Sequence, residues 1–353
     1  MKFILKNANK ERLLIYGNSY LQQYFSNKIK FETLPSLHHS INLKYLLKAI
    51  VKNIFTIFNL KKLRLEYTKE YIKNINPKVI VTYHDNEIFF YKLKNFFPKI
   101  KFISLQNGYR FKKNDLFDIS IDKNLKCDYI FAFGHHVSEY YKKYIESKII
   151  INGSLKNNSI KVRKSAKKKW CVFISSFGLG NNNSEKKILP ILDDFCLKHQ
   201  LSLKILLRKN LKEEIYFFKK FKFIKNKNLL ILDKNTLKSY DILDKSIISI
   251  SLNATLGYEN LARGGKTFFI NTKDRDLNCS SFLSYGWPGK YAKSGFFWTN
   301  KINRKEINIK LKKILFLKKN RWDKICKNYS KKIIILKKNN NQIDKLIKKL
   351  CYD

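Results

Sequence analysis

The stretch "SLNATLGYENLARGGKTFFI", Ser251 to Ile270, sets hydroxyl, amide and glycine residues where one apolar run stops and before another begins. The β-branched run that leads into it reads as a strand, "YENLARGG" has helical composition, and Gly264 and Gly265 close that helix ahead of the next strand. A helix that opens on small residues presents free backbone N–H groups and the positive end of its dipole, and phosphate is the natural guest. Ser251, Asn253 and Thr255 can add side-chain donors, Gly257 allows close backbone approach, and Glu259 can accept hydrogen bonds from ribose hydroxyls. An ordinary capped helix would carry the same residues.

Two further strand ends carry polar groups. "VIVTYHDNEIFFYKL" stops at His84, Asp85, Asn86 and Glu87, where Asp85, His84 or Glu87 could act as general base toward a hydroxyl acceptor, or where Asp85 or Asn86 could simply cap the next helix. "FISLQNGYRF" ends in Gln106, Asn107, Gly108, Tyr109 and Arg110; the amides suit sugar hydroxyls, and the guanidinium suits phosphate or carboxylate. His135 and His136 follow another strand, adjacent and so unable to chelate from one helix face. Arg208 and Lys209 follow "ILL", where cations would compensate a donor phosphate, and Ser175 to Asn183 forms a Gly/Asn loop. That loop lacks the Gly-Lys-Ser/Thr of a Walker motif, "GNSY" near the start does not complete a dinucleotide fingerprint, and no nucleophile elbow, HExxH or deaminase signature occurs.

These residues need elements to hold them. "RLLIYG", "KVIVTY", "KIKFISL", "CDYIFAFG" and "KIIINGS" read as strands separated by helical stretches; residues 40–77 read as helix, stopping at Pro77. Alternation of this kind implies parallel βαβ units. The basic stretch Ile160 to Lys169 reads as a linker, and a second series follows: "WCVFISS", "LSLKILLRK", "NLLILD", "SIISISL" and "KTFFI". The expected organisation is an N-terminal acceptor-side Rossmann-like domain over 1–160, a C-terminal nucleotide-binding one over 161–304, and lysine-rich helices over 305–353. In open parallel sheets ligands bind at the carboxyl ends of strands, so two sheets facing across a cleft would hold one substrate each.

At 353 residues the chain can build two cores, and 44% hydrophobic content excludes disorder. The formal charge of +46 is mostly lysine spread from end to end beside abundant Asn and Ile, which points to A/T-rich coding rather than a phosphate-tracking stripe, and no nucleic-acid motif accompanies it. It suits anionic nucleotide donors or loose contact with an anionic inner leaflet. The six cysteines have no C-x-x-C pair and no histidine at ligand spacing, as expected of reduced thiols, and no metal site is expected. With no membrane-length apolar run and no signal-peptide pattern, the expected location is cytoplasmic, with room for peripheral contact at the inner face of the membrane.

Taken together, "INPKVIVTYHDNEIFFYKLKNFFPKIKFISLQNGYR", "YIFAFGHHVSEYYKKYI", "INGSLKNN", "SISLNATLGYENLARGGKTFFI" and "GWPGKYAKSGFFWTN" resemble bacterial surface-carbohydrate (O-antigen/LPS-type) biosynthesis transferases, in order from about residue 75 to 300. "LGYENLARGGKT" is also similar to the Gly-x-Glu-Ala-Leu-x-x-Gly stretch of GT-B glycosyltransferases, including capsule-type Kdo transferases. The resemblance implies Ser251, Thr255 and Gly257 at the donor phosphates, Glu259 near the ribose, and Asp85, Asn86, Gln106 and Asn107 on the acceptor side; Tyr83-His84 departs from the more hydrophobic residues expected there, so no role passes to His84.

The resulting expectation is a two-domain GT-B-like α/β glycosyltransferase moving a sugar from a nucleotide-sugar co-substrate to a glycan or lipid-linked glycan acceptor, without metal or other cofactor. Asp85 is the first choice for base, Asn86, Gln106, Asn107 and Arg110 for acceptor binding, and Arg208, Lys209, Ser251, Asn253, Thr255, Gly257 and Glu259 for donor binding. The rival readings are a CDP-donor glycerol-phosphate-type transferase of the same fold and a non-catalytic basic glycan- or nucleic-acid-binding protein.

Overall fold

The computed structural model describes the chain apart from residues 1, 18–20, 22–23, 25–28, 36–39, 53, 55–57, 111–123, 164–165, 179–181, 209–210, 231–236, 253, 271–291, 293 and 353. Apolar runs rich in Ile, Val and Phe become strands buried on both faces, as fully covered parallel sheets demand. The first sheet contains β2 (Leu13–Gly17), β3 (Phe31–Pro35), β5 (Val79–Thr82), β6 (Lys101–Leu105), β7 (Leu125–Ala132) and β8 (Ile145–Ile151). All pairings are parallel, in the order β3-β2-β5-β6-β7-β8. The second contains β9 (Lys168–Ile174), β10 (Ser202–Leu206), β11 (Leu229–Leu230), β12 (Ser246–Ser251), β13 (Thr267–Ile270) and β14 (Trp298–Thr299), again parallel, ordered β11-β10-β9-β12-β13-β14. Two Rossmann-like α/β halves result, with crevices at the points where strand order reverses: β2/β5 in the first and β9/β12 in the second.

Residues 40–77 are not one helix. β4 (Ser40–Asn42) pairs in parallel with β1 (Lys2–Ile4), α1 (Leu43–Lys52) follows, and α2 (Leu60–Ile75) starts afresh. Asn59 explains the restart: its side chain accepts from Lys62 N at 3.1 Å as an N-cap. Asn76 closes α2 in the left-handed region at φ 51°, just before Pro77. α3 (Ile88–Leu93) and α4 (His135–Tyr144) complete the helices that matter to the first cleft wall. The short α5 (Leu155–Asn158) leads to the linker. In the second half, α6 (Asn182–Lys198), α7 (Lys212–Lys219), α8 (Leu237–Lys245) and α9 (Thr255–Ala262) alternate with the strands.

The lysine-rich end does not form a unit of its own. α10 (Arg304–Phe316) buries Ile307, Leu311 and Ile314 on the second half, and α11 (Lys319–Ile333) touches both α9 and α4. α12 (Asn341–Tyr352) returns to the first sheet, where Ile343, Ile347 and Cys351 join Leu13, Ile15, Val79 and Val81 in one core. Lysine fills the exposed positions of these helices while their apolar stripes are spent on both halves. The five described cysteines are all free and buried. Among the described residues no helix is long and apolar enough to cross a membrane.

Candidate functional site

At the carboxyl end of β5 the chain turns through Tyr83, His84 and Asp85. Asp85 is wholly buried. Its Oδ2 meets Arg110 Nε at 2.8 Å and accepts from the Tyr141 hydroxyl at 2.5 Å; its Oδ1 accepts from Arg110 at 3.0 Å and from Asn107 N at 2.9 Å. Burial, reinforced by the Asp85 charge, pushes the Tyr141 phenol far above its ordinary value, so it stays a donor. Asp85 does not cap α3: the residue preceding that helix is Glu87, which instead binds Arg64 and the Tyr16 hydroxyl, and the Asp85 carboxylate expected as base is buried and ion-paired. A carboxylate engaged by four contacts and sealed from solvent holds a guanidinium in place.

The amides beside it are equally committed. Gln106, also buried, accepts from Phe133 N at 2.7 Å and donates to Gly108 O at 2.9 Å, tying the end of β6 to the residue after β7. Asn107 donates to Tyr83 O and accepts from Arg110, each at 2.5 Å. Both are expected to meet an acceptor, and the hydrogen bonds they make here shape the loop that carries Arg110. Asn86 is exposed in the turn after Asp85. His84, partly exposed, lies against Gly17 at the β2/β5 crevice, 3.3 Å from where a Cβ would stand on that glycine.

In the second half two buried carboxylates organise the end of β9. Glu214 accepts from Ser175 Oγ at 2.6 Å and Arg208 N at 2.8 Å, and Glu185 accepts from Ser176 N at 2.7 Å. Arg208 remains exposed and donates to Phe177 O at 3.0 Å, which ties the end of β10 to the loop after β9. Thr255 opens α9 after β12. Gly257 faces inward: a Cβ there would stand 2.4 Å from Ser251 Cβ and 3.1 Å from the Phe269 ring. Its smallness lets α9 lie on β12 and β13, and Ser251, wholly buried, stands at that contact. Lys209 and Asn253 lie outside the described residues.

The two halves meet at this level. Tyr109 N donates to Thr255 Oγ1 at 2.9 Å, and the Tyr109 ring stacks on Tyr258 at 4.8 Å and 7°. A small cavity of about 10 Å³ at this seam is lined by Gln106, Arg110 and His136 from the first half and by Thr255 and Tyr258 from the second. Glu259 is buried one turn further along α9, bonded by Ser154 from the first half and by the Tyr240 hydroxyl at 2.9 Å. Burial raises its carboxyl above the ordinary value, opposed by those two hydrogen bonds and by Lys156 and Arg263. Its charge in turn lifts Tyr83 and Tyr24, the latter to about 12, secondary to burial in both.

The motif "INGSLKNN" turns out to be the joint. Asn157 accepts from Arg263 at 3.1 Å, Asn158 accepts from Lys337 N at 2.9 Å and donates to Asn340, and Ser154 reaches Glu259. Arg263 also forms a buried ion pair with Asp244 at 2.5 Å and donates to the carbonyls of Ile160 and Lys161. The dense run of small amides in "NGSLKNN" was the available signal, since such groups are buried only when paired. Among the described residues no cluster of three His, Cys, Asp or Glu could hold a metal ion.

A protein-family model described as "putative O-antigen biosynthesis protein" matches residues 103–351, a span that includes Gln106, Arg110, the joint, α9 and most of α12. The chain belongs to that family. Its members' connection with O-antigen biosynthesis gives this protein a role in making surface glycan. No curated protein matches the chain. Among solved structures it is similar to UDP-GlcNAc 2-epimerase from Methanocaldococcus jannaschii, with 12% identity over 99% of this chain and 100% of that one and a TM-score of 0.55. It is similar also to the Neisseria meningitidis enzyme of that name bound to UDP-GlcNAc, with 13% identity, 99% of each chain covered and a TM-score of 0.53. A third is the wall teichoic acid polymerase TagF with CDPG, with 12% identity over 97% of this chain and 89% of that one and a TM-score of 0.52. At such identities the likeness concerns fold, and the fold of this chain is GT-B-like, with two Rossmann-like halves.

Proposed function

We propose that this family member is a glycosyltransferase that moves a sugar from a nucleotide-sugar donor to a surface-glycan acceptor. The observation that carries the reading is the seam itself: Arg110, clamped by buried Asp85, lines the same small cavity as Thr255 at the positive end of α9. A guanidinium and a helix N-terminus converging on one space favour the charge that grows on a departing nucleoside diphosphate. Nucleotide ligands in the solved relatives, UDP-GlcNAc in one and CDPG in another, agree with a donor of this class. The nucleotide would lie over the β9/β12 crevice, with Arg208 at the end of neighbouring β10, and the acceptor over β2/β5.

In this scheme the acceptor hydroxyl attacks the anomeric carbon, the bond from that carbon to the phosphate oxygen breaks, and the nucleotide leaves with the electron pair. The acceptor's proton needs a base that can reach solvent. His84, partly exposed at the β2/β5 crevice, takes that role in place of sealed Asp85. Since Arg110 and the α9 terminus supply positive charge, the scheme requires no metal.

A thermal-shift series with UDP, GDP, CDP, CMP and dTDP, each with and without Mg²⁺, tests the donor half. Binding to the native state raises the melting temperature by mass action. One nucleotide should stabilise the protein without metal, and Arg110→Ala should weaken the shift. The matching activated donor, incubated with membrane glycan and followed by product mass, should yield glycosylated acceptor and free nucleotide. A glycerol-phosphate mass increment, or an epimerised donor with no acceptor consumed, would replace the proposal.

A further inference from the structure

Of the sixteen large hydrophobic side chains exposed among the described residues, seven fall within the first sixty positions, while the others are scattered along the chain. Five sit on α1, at the start of α2 or between them: Leu47, Val51, Ile54, Phe58 and Leu60, with Val51 85% and Phe58 87% exposed. The arrangement on α1 is regular. Tyr45 and Ala49 face the core, whereas the solvent side carries an apolar row, Leu47 and Val51, beside a basic row, Lys44, Lys48 and Lys52. Both rows follow the four-residue spacing that puts side chains on one helix face. Lys61 and Lys62 extend the basic border, and no carboxylate occurs anywhere from Leu43 to Lys62. Phe3 and Leu5 add to the same region, because β1 pairs with β4, which leads directly into α1.

We infer that this face seats the protein on an anionic bilayer surface. Contiguous exposed apolar side chains mark a docking surface. Interleaved lysines identify what docks, since their stems lie along acyl chains while their ammonium groups reach lipid phosphates. A second copy of the chain would set lysine row against lysine row, and the carboxylate nearest the row, Glu70, is already engaged by Lys52. The position on the fold suits a membrane-borne acceptor. α2 runs antiparallel to β5, so its Leu60 end lies at the carboxyl edge of the first sheet, where Arg64 reaches Glu87 just after the Asp85 turn. The Lys52 end of α1 points the same way, since Tyr45 bonds Asn74 near the end of α2 whereas Lys52 pairs with Glu70. The apolar face thus borders the cleft edge of the half assigned to the acceptor.

Co-sedimentation of the full chain with phosphatidylglycerol-containing vesicles and with pure phosphatidylcholine vesicles, at low and high salt, tests this without any substrate. The wild type should bind the anionic vesicles preferentially and less well at high salt. Leu47→Glu/Val51→Glu and Lys48→Glu/Lys61→Glu/Lys62→Glu should each bind at least about tenfold more weakly, the loss expected when one well-buried apolar contact or more is removed. Their unchanged circular-dichroism melts would show intact folds, as solvent-facing positions allow, and Leu47→Ser/Val51→Ser gives a milder version. Failure of the wild type to bind anionic vesicles, or equal binding by folded variants, would overturn the inference. So would light scattering that finds a dimer which Leu47→Glu/Val51→Glu splits.

Discussion

Asp85 and Glu259 show how a carboxylate's surroundings, and not its type, decide its work. Asp85 is held with Arg110 in a buried pair, and removing one partner of such a pair leaves an uncompensated charge. Asp85→Ala should therefore cost about 3–5 kcal/mol in denaturant unfolding. Asp85→Asn should also lose stability along with activity, whereas a solvent-facing base would lose activity alone. Glu259 makes the opposite prediction. Its folded-state pKa is raised, chiefly by burial, so the stability it contributes is fully present below the ordinary value of 4.5 and is lost as pH climbs through the raised one. Glu259→Gln should hold that contribution at all pH values. Melting temperatures from acid to neutral pH should show the variant gaining on the wild type as pH rises.

At the scale of elements, the close approach of α9 to β12 rests on Gly257. Gly257→Ala would drive a methyl into Ser251 and Phe269 and should destabilise by about 1–3 kcal/mol, the usual cost of overpacking. A double-mutant cycle with Ser251→Gly, read by denaturant unfolding, should recover part of the loss, because the nearest obstacle is Ser251 Cβ at 2.4 Å. The helical spacing of "YENLARGG" and its glycine stop announced the element, and α9 does end at Ala262 with Gly264 at φ +84°. Which face of it would be buried was not legible, because a run of small residues fits a phosphate cradle and a tight helix–sheet contact equally well.

Across the whole molecule, the C-terminal segment binds the halves together. α10 lies on the second half, α11 touches helices of both, Ile335 N donates to Phe133 O, and α12 completes the core beneath the first sheet. Ile347→Ala should cost about 2–5 kcal/mol although it lies far in sequence from every strand it supports. Native-state hydrogen exchange should locate the loss in β2 and β5, whose residues share its core. Unchanged protection there would mean that α12 is dispensable to the first half.

Alternation of β-branched runs with helical stretches by itself determined the parallel α/β architecture, because backbone period and turn chemistry are local properties. It also put polar residues at strand ends, which a parallel sheet turns toward its ligand edge. Only the tertiary structure decided whom those residues face. Asp85 takes Arg110, Glu259 takes Ser154 across 105 positions, and Ile347 closes a core begun at Leu13. Buried polar groups and apolar stripes must each find a partner, and nothing in local spacing names a partner that the chain brings in from another domain.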